Sequence, residues 1–229
     1  MVKNHLIRIN MPRTWQIKRK EKKFITRPKP GQSSMELGMP LNVILKDVLG
    51  LAKTSREVRY LLNNQEVLVD YKRRKEPKCI VGFMDVLSIP AIKKDYRIVL
   101  NEKGKISLIE ISKEEAGIKL CKIKGKTMVK GKLQLNLSDG KNILTDKKDY
   151  KTGDMIVYDL VHKKIKDVIS LEKNNTIFIV GGKYIGEIGK VVDLGNKSIT
   201  YKNQKGDTIE TLKKYAYCLG KDKETVKMR

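Results

Sequence analysis

The chain has 229 residues, with 50 Lys and Arg against 26 Asp and Glu, giving a formal net charge of +24. With 33% charged residues and no apolar run of about 18, it reads as no membrane protein, and its 40% hydrophobic content excludes wholesale disorder. The length allows one to three small domains. Three separated cysteines, Cys79, Cys121 and Cys218, and an N-terminus lacking a long apolar stretch lead us to expect a cytoplasmic chain with reduced thiols. The charge calls for a polyanionic partner. Nucleic acid fits best, because each neutralised phosphate releases a counterion. An anionic membrane fits worse, since no basic amphipathic helix with large apolar residues is present.

Along the chain, the first thirty residues carry ten Lys or Arg against one acid, Glu21. They also hold Trp15, the sole tryptophan. Pro28, Pro30 and Gly31 break regular structure. Residues 1–40 therefore predict a basic arm and linker, with Trp15, Ile17, Phe24 and Ile25 as anchors. Arg8, Arg13, Lys18, Arg19 and Lys20 are its candidate phosphate contacts, and Trp15 could pack on a base, a sugar or a neighbouring protein.

Leu41, Ile44, Leu45 and Val48 share one helical face, and Gly50 ends that helix. Thr54 and Glu57 fit a capping box opening a second helix. There Val58, Leu61 and Leu62 point inward, so Arg56 and Arg59 face out. Asn63-Asn64 stops it. Short strands follow at Val67–Val69 and Val86–Ile89, joined through the basic turn Lys72-Arg73-Arg74-Lys75. Residues 41–89 thus predict a small helix-plus-strand domain.

From residue 90 on, short apolar runs alternate with turn signals. The runs are Ile106–Ile111, Leu133–Leu137, Ile156–Leu160 and Ile177–Val180. The turns are Asp139-Gly140, Gly153-Asp154, Gly181-Gly182 and Lys205-Gly206-Asp207. This density predicts small barrels or sandwiches, with Lys173–Asn175 as a boundary between a central β domain (90–172) and a C-terminal one (173–229).

Catalytic signals are weak. His5 and His162 have no partner spacing that names a mechanism, and the single cysteines do not make a zinc site. Lys124-Gly125-Lys126-Thr127 ends like a phosphate-binding loop, but Leu120 stands where that loop needs glycine. The expectation is no enzyme, cofactor, metal or small-molecule substrate. A stronger motif is the stretch 177–192, where two β runs flank glycines at 182, 186 and 189 and present Lys183, Tyr184 and Lys190. Glycine there permits positive φ and close backbone approach. The stretch resembles a KOW motif, an element of SH3-like barrels.

Residues 41–89 resemble an S4 RNA-binding domain, with Lys53, Arg56, Arg59 and the turn Arg73, Arg74 and Lys75 in the RNA-facing places. Taken in order, the chain resembles the small-subunit ribosomal protein S4e family over nearly its whole length. The features that carry this are His5-Leu6 with Pro12 and Trp15, 27–31, Pro40-Leu41, 82–86, 119–123, 134–137, 139–143, 151–154, the glycine loop and Leu219-Gly220-Lys221. Tyr71, Ile80 and Ser138 depart from residues common in the family. The resemblance implies a multidomain α+β protein with arm, S4-type domain, central β domain and KOW barrel. It implies a structural constituent of the small ribosomal subunit that binds the 5′ domain of its rRNA beside neighbouring ribosomal proteins. Alternatives are an RNA-modifying enzyme with an S4 domain, whose Gly-Arg-Leu-Asp signature is missing, and a translation or transcription factor.

Overall fold

The structure, a computed structural model, describes residues 4–146, 149–221, 226 and 228. It divides into two compact units, Met1–Val99 with Lys105–Ala116, and Leu100–Gly104 with Gly117–Arg229. It is mostly β with few helices. Among the described residues no helix is long and apolar enough to cross a membrane.

In the first unit, β1 (Leu6–Ile7) pairs antiparallel with β2 (Phe24–Ile25). Strand β3 (Gly38–Pro40) leads into α1 (Leu41–Val43). The regular helix expected to reach Gly50 gives way to a π turn over Ile44–Val48, where the Leu49 N–H donates to the Ile44 carbonyl at 2.8 Å. Leu41, Ile44 and Leu45 are buried as the spacing predicts, but Val48 is exposed. The extra residue in a π turn rotates it off the apolar face.

Helix α2 (Ser55–Asn64) obeys its sequence more closely. The Thr54 Oγ1 accepts from the Glu57 N–H at 3.2 Å, and the Glu57 carboxylate accepts from the Lys53 N–H at 2.8 Å. These bonds, the Lys53 N–H first, hold the Glu57 carboxyl below the usual carboxylate range. They occupy amides that the first turn leaves open. Val58 and Leu62 are buried, while Leu61 is half-buried.

Strands β4 (Leu68–Val69) and β5 (Lys72–Arg73) form a hairpin. Its two turn residues, Asp70 and Tyr71, have φ of 51° and 57°. Two left-handed residues match the twist of a two-residue hairpin, so the turn forms with tyrosine in the place of glycine. The Asp70 carboxylate also accepts from the Val86 N–H at 3.1 Å, which favours this conformation. Strand β6 (Ile80–Gly82) pairs with β3, and β7 (Val86–Ile89), β8 (Lys94–Leu100) and β9 (Ile106–Ile111) complete a sheet of order β5-β4-β7-β8-β9. Strands β7 and β8, on either side of residue 89, pair from Val86↔Arg97 to Ile89↔Lys94. The short apolar run after Pro90 serves this sheet rather than starting a new one.

Helix α3 (Lys113–Ala116) closes the first unit, and the second continues with the long β10 (Ile118–Val129). With β11 (Lys132–Leu137), β12 (Asn142–Thr145), β13 (Met155–Asp159) and β14 (Lys164–Ile169) it forms a sheet of order β12-β11-β10-β13-β14. Lys124–Thr127 lie within β10, past a register shift at Ile123/Gly125, so they form no phosphate loop. Cys121, Ile123, Leu135, Tyr150 and Ile156 build its core. Strands β15 (Thr176–Ile179), β16 (Ile188–Leu194), β17 (Ser198–Asn203), β18 (Thr208–Leu212) and β19 (Ala216–Gly220) form a second sheet of order β18-β17-β16-β15-β19. The two sheets lie in the same unit. Asn175 is buried and its Nδ2 donates to the Ser170 carbonyl at 2.7 Å. The Lys122 ammonium on β10 donates to the carbonyls of Lys213, Lys214 and Ala216 at 2.9, 3.0 and 2.6 Å.

Candidate nucleic-acid interface

Three regions hold the cations that the sequence singles out. In the arm, the structure divides them. Arg8 is only 1% exposed, and its guanidinium donates to the Lys18 carbonyl and meets Glu21 at 3.3 Å and Asp47 at 4.0 Å. Arg19 donates to the carbonyls of Ile9, Met11 and Pro12 at 2.8, 3.1 and 3.2 Å. Both tie the irregular arm together, because a chain without ladder bonds needs other donors for its carbonyls. Trp15 is 2% exposed, and its Nε1 donates to the carbonyls of Met35 and Gly38 at 3.2 and 3.0 Å. Its backbone bridges to Ile106. These positions correct two expectations: Trp15 is a core residue with no face for a base, and Arg8 is an internal clasp. Arg13, Lys18 and Lys20 stay exposed.

Arg56 and Arg59 of α2 and Lys53 just before it are all exposed, with Arg56 on the side away from Val58 and Leu62 and Arg59 at the flank of that buried face. Arg73 reaches them from the hairpin, with its Nη2 donating to the Asn63 carbonyl at 3.0 Å. This satisfies an open carbonyl of the last helical turn and sets a cation at its negative end. Lys75 is exposed and Arg74 half-buried, its Nε lacking a hydrogen-bond partner. One residue here escaped the sequence reading. Tyr60 lies between Arg56 and Asn63 on the outer face and is 67% exposed. Its signal was present: an aromatic two residues from a buried helical position falls on the solvent side.

In the glycine loop, Gly182 and Gly186 have φ of 90° and 88°. A Cβ at Gly186 would also overlap the Asn101 carbonyl oxygen, and one at Gly181 would overlap the Tyr215 ring. Gly189 does not need positive φ; a Cβ there would strike the Lys202 carbonyl and the Tyr201 ring. Lys183 and Lys190 are exposed, Tyr184 is half-buried, and the Lys183 ammonium lies 5.5 Å from the Tyr184 ring centre.

Elsewhere in the second unit, charges are used internally. Asp139 meets Lys119 and Lys141, each at 3.2 Å, with Asp139 and Lys119 nearly inaccessible. Burial pushes the Asp139 carboxyl up, but the two ammoniums and the Lys141 N–H outweigh it and hold the carboxyl below its usual range. Burial, helped by the nearby Lys213 and Lys124 charges, pushes the Lys122 ammonium down to about 8. The Cys79 and Cys218 thiols are raised by burial, which makes them poor nucleophiles.

Known proteins match this chain over most of its length. A relative from Methanosphaera stadtmanae, named small ribosomal subunit protein eS4, is 40% identical over 99% of this chain and 96% of its own. One of the same name from Nanoarchaeum equitans is 45% identical over 88% of this chain and 87% of its own. The chain belongs to the ribosomal protein S4e family. The family's domain profiles fall in order: an RS4NT domain over residues 2–32, an S4 domain over 39–87, and Ribosomal family S4e over 92–165. The crystal structure of the 30S ribosomal protein S4e from Thermoplasma acidophilum superposes with a TM-score of 0.70 at 31% identity, covering 81% of this chain and 96% of that one. In S4e terms, the RS4NT match is the arm clasped by Arg8 and Arg19, and the S4 match runs from β3 through α2 to β7. Of the three departures from the S4e pattern, Tyr71 keeps its turn in left-handed form. Ser138 accepts from the Lys122 N–H at 3.3 Å. Ile80 packs in the core.

Proposed function

We propose that this S4e-family chain is a structural constituent of the small ribosomal subunit that binds the 5′ domain of small-subunit rRNA, next to other ribosomal proteins, and supports its folding. The observation that carries this reading is the outer face of α2. Arg56 projects opposite the buried apolar face and Arg59 stands exposed at its flank, and Arg73 adds a further cation through its bond to the Asn63 carbonyl. Tyr60 adds an aromatic face among them. Double-stranded RNA is recognised largely by shape and by phosphate and 2′-hydroxyl contacts. Planar guanidiniums suit bidentate phosphate contacts.

The exposed arm cations Arg13, Lys18 and Lys20 add further phosphate contacts. Residues 173–229 act as the KOW SH3-like barrel, presenting Lys183, Tyr184 and Lys190 as a second interface. The positive φ at Gly182 and Gly186 and the closeness of Gly186 to Asn101 support that reading. The chain works by binding rather than by catalysis. Transcripts of the 5′ domain and of another small-subunit domain, compared at one salt concentration, test this. Tighter binding to the 5′ domain is expected, and equal affinity for both would contradict it.

A further inference from the structure

A groove in the first unit runs between the β1–β2 pair and the start of α2. Lys22, Phe24 and Arg27 line it from the arm, Lys53 from the α2 end, and Lys78 from the far wall. Among the described residues no carboxylate lines it. Its volume is about 580 Å³, in the size range of sites that enclose small organic groups.

Phe24 stands out chemically. The chain has three phenylalanines, and Phe83 and Phe178 are buried while Phe24 is 50% exposed. Its strand partner Ile7 is exposed as well. The ring is bounded by His5, whose centroid is 5.7 Å away at 54°, and by the Lys23 ammonium, 5.5 Å from the ring centre. An aromatic face left in water beside cations has little to offer an apolar protein surface. It suits a base whose neighbours are phosphates. Lys22, Lys53 and Lys78 line the groove with no salt bridge within 4 Å among the described residues, although the charges of Lys53 and Lys78 are felt by the nearby carboxylates of Glu57 and Glu76. Lys46, also in the wall, is held by Asp47 at 3.3 Å.

We propose that this groove holds an unpaired nucleotide of the bound RNA, with its base stacked on Phe24 and the flanking phosphates on Lys22, Lys53 and Lys78. The nucleotide must be unpaired, because a base inside a duplex offers no free face. The stacking surface is tolerant of base identity, since every base has a π-face. This rests on the RNA-binding reading above and adds a site to it.

The test uses the full chain and two fluorescent probes at one low salt concentration: hexaadenylate RNA and an abasic ribose-phosphate oligomer of the same length. Hexaadenylate should bind about tenfold or more tighter, from the usual strength of base–aromatic stacking. Phe24→Ala should erase that ratio and leave abasic binding unchanged, and Phe24→Tyr should restore it. Lys53→Gln with Lys78→Gln should weaken both probes, flatten the salt slope by about 1.4 and keep the ratio. These two side chains are exposed, so this variant reads out the site even if Phe24→Ala disturbs the pairing of β1 and β2. No ratio in the parent, or a ratio that survives Phe24→Ala or Phe24→Leu, would overturn the proposal. So would a Phe24→Ala effect seen only on binding to other small-subunit proteins. The parent's binding to the 5′-domain transcript, measured alongside, separates the two claims: its loss sinks the broader reading, while loss of the base preference alone sinks only this site.

Discussion

The arm and α2 draw on the same side chains and put them to opposite use. In the arm, Arg8 is buried against Glu21 and Asp47, and Arg19 holds three carbonyls. In α2, Arg56 and Arg59 stand in solvent. The helix satisfies its own backbone, so its cations are free to face outward. The stretch holding Arg8 and Arg19 has little regular pairing beyond the two residues of β1 and β2, and its carbonyls recruit the guanidiniums. A high local density of positive charge therefore does not say which charges remain available to a partner. The regularity of the backbone beneath them does.

The difference can be broken most sharply at Trp15. Trp15→Ala should cost about 3–5 kcal/mol, because it empties a core position and leaves two carbonyls without their donor. Denaturant unfolding measures this, and a loss below about 1 kcal/mol would mean the arm is not docked as described.

A buried cation of the second unit provides the next case. Asp139→Asn leaves the inaccessible Lys119 ammonium without its carboxylate and should cost about 3 kcal/mol at neutral pH. The folded carboxyl is held below its unfolded value of about 3.9, so its contribution is present above that value. It fades as pH falls through the lower folded value. Stability measured from pH 6 down to pH 2 should show a steeper acid decline in the parent than in Asp139→Asn. Parallel curves would contradict the pairing.

Gly186→Val should cost about 2–3 kcal/mol, from positive φ and overlap with the Asn101 carbonyl together. A melting temperature equal to the parent's would show that the loop is not held this way. Arg8→Met should cost about 2 kcal/mol, less than a fully buried pair because Glu21 is half in water. Equilibrium unfolding of that variant beside Arg19→Met would sharpen how the arm is clasped.

Much of this contrast was legible in the sequence where structure is periodic. The strands at Leu133–Leu137 and Ile106–Ile111, the Thr54–Glu57 cap and the outward arginines of α2 all follow from alternation, capping or a 100° rotation. The turns at Gly140, Gly153 and Gly206 adopt positive φ, as their glycines suggest. What escaped was irregular or nonlocal. The π turn after Val43 keeps the apolar spacing of a helix while moving Val48 off its face. Trp15 sits in an aperiodic, lysine-rich stretch, and its burial depends on carbonyls twenty and twenty-three residues away. Lys122 lies on a strand and is bound by carbonyls more than ninety residues on. No local pattern carries such partners.

The central claim is that α2 and not the clasped arm arginine meets RNA. The salt dependence of binding to a 5′-domain rRNA transcript tests it most directly, measured for Arg56→Ala with Arg59→Ala and for Arg8→Met. The double variant removes exposed charges, so its stability should stay within about 0.5 kcal/mol of the parent's. Its log–log salt slope should fall by about 1.4–1.8, the value for two lost phosphate contacts. Arg8→Met should leave the slope unchanged under conditions where it is folded. A slope that falls with Arg8→Met and stays at the parent's value in the α2 variant would contradict the account.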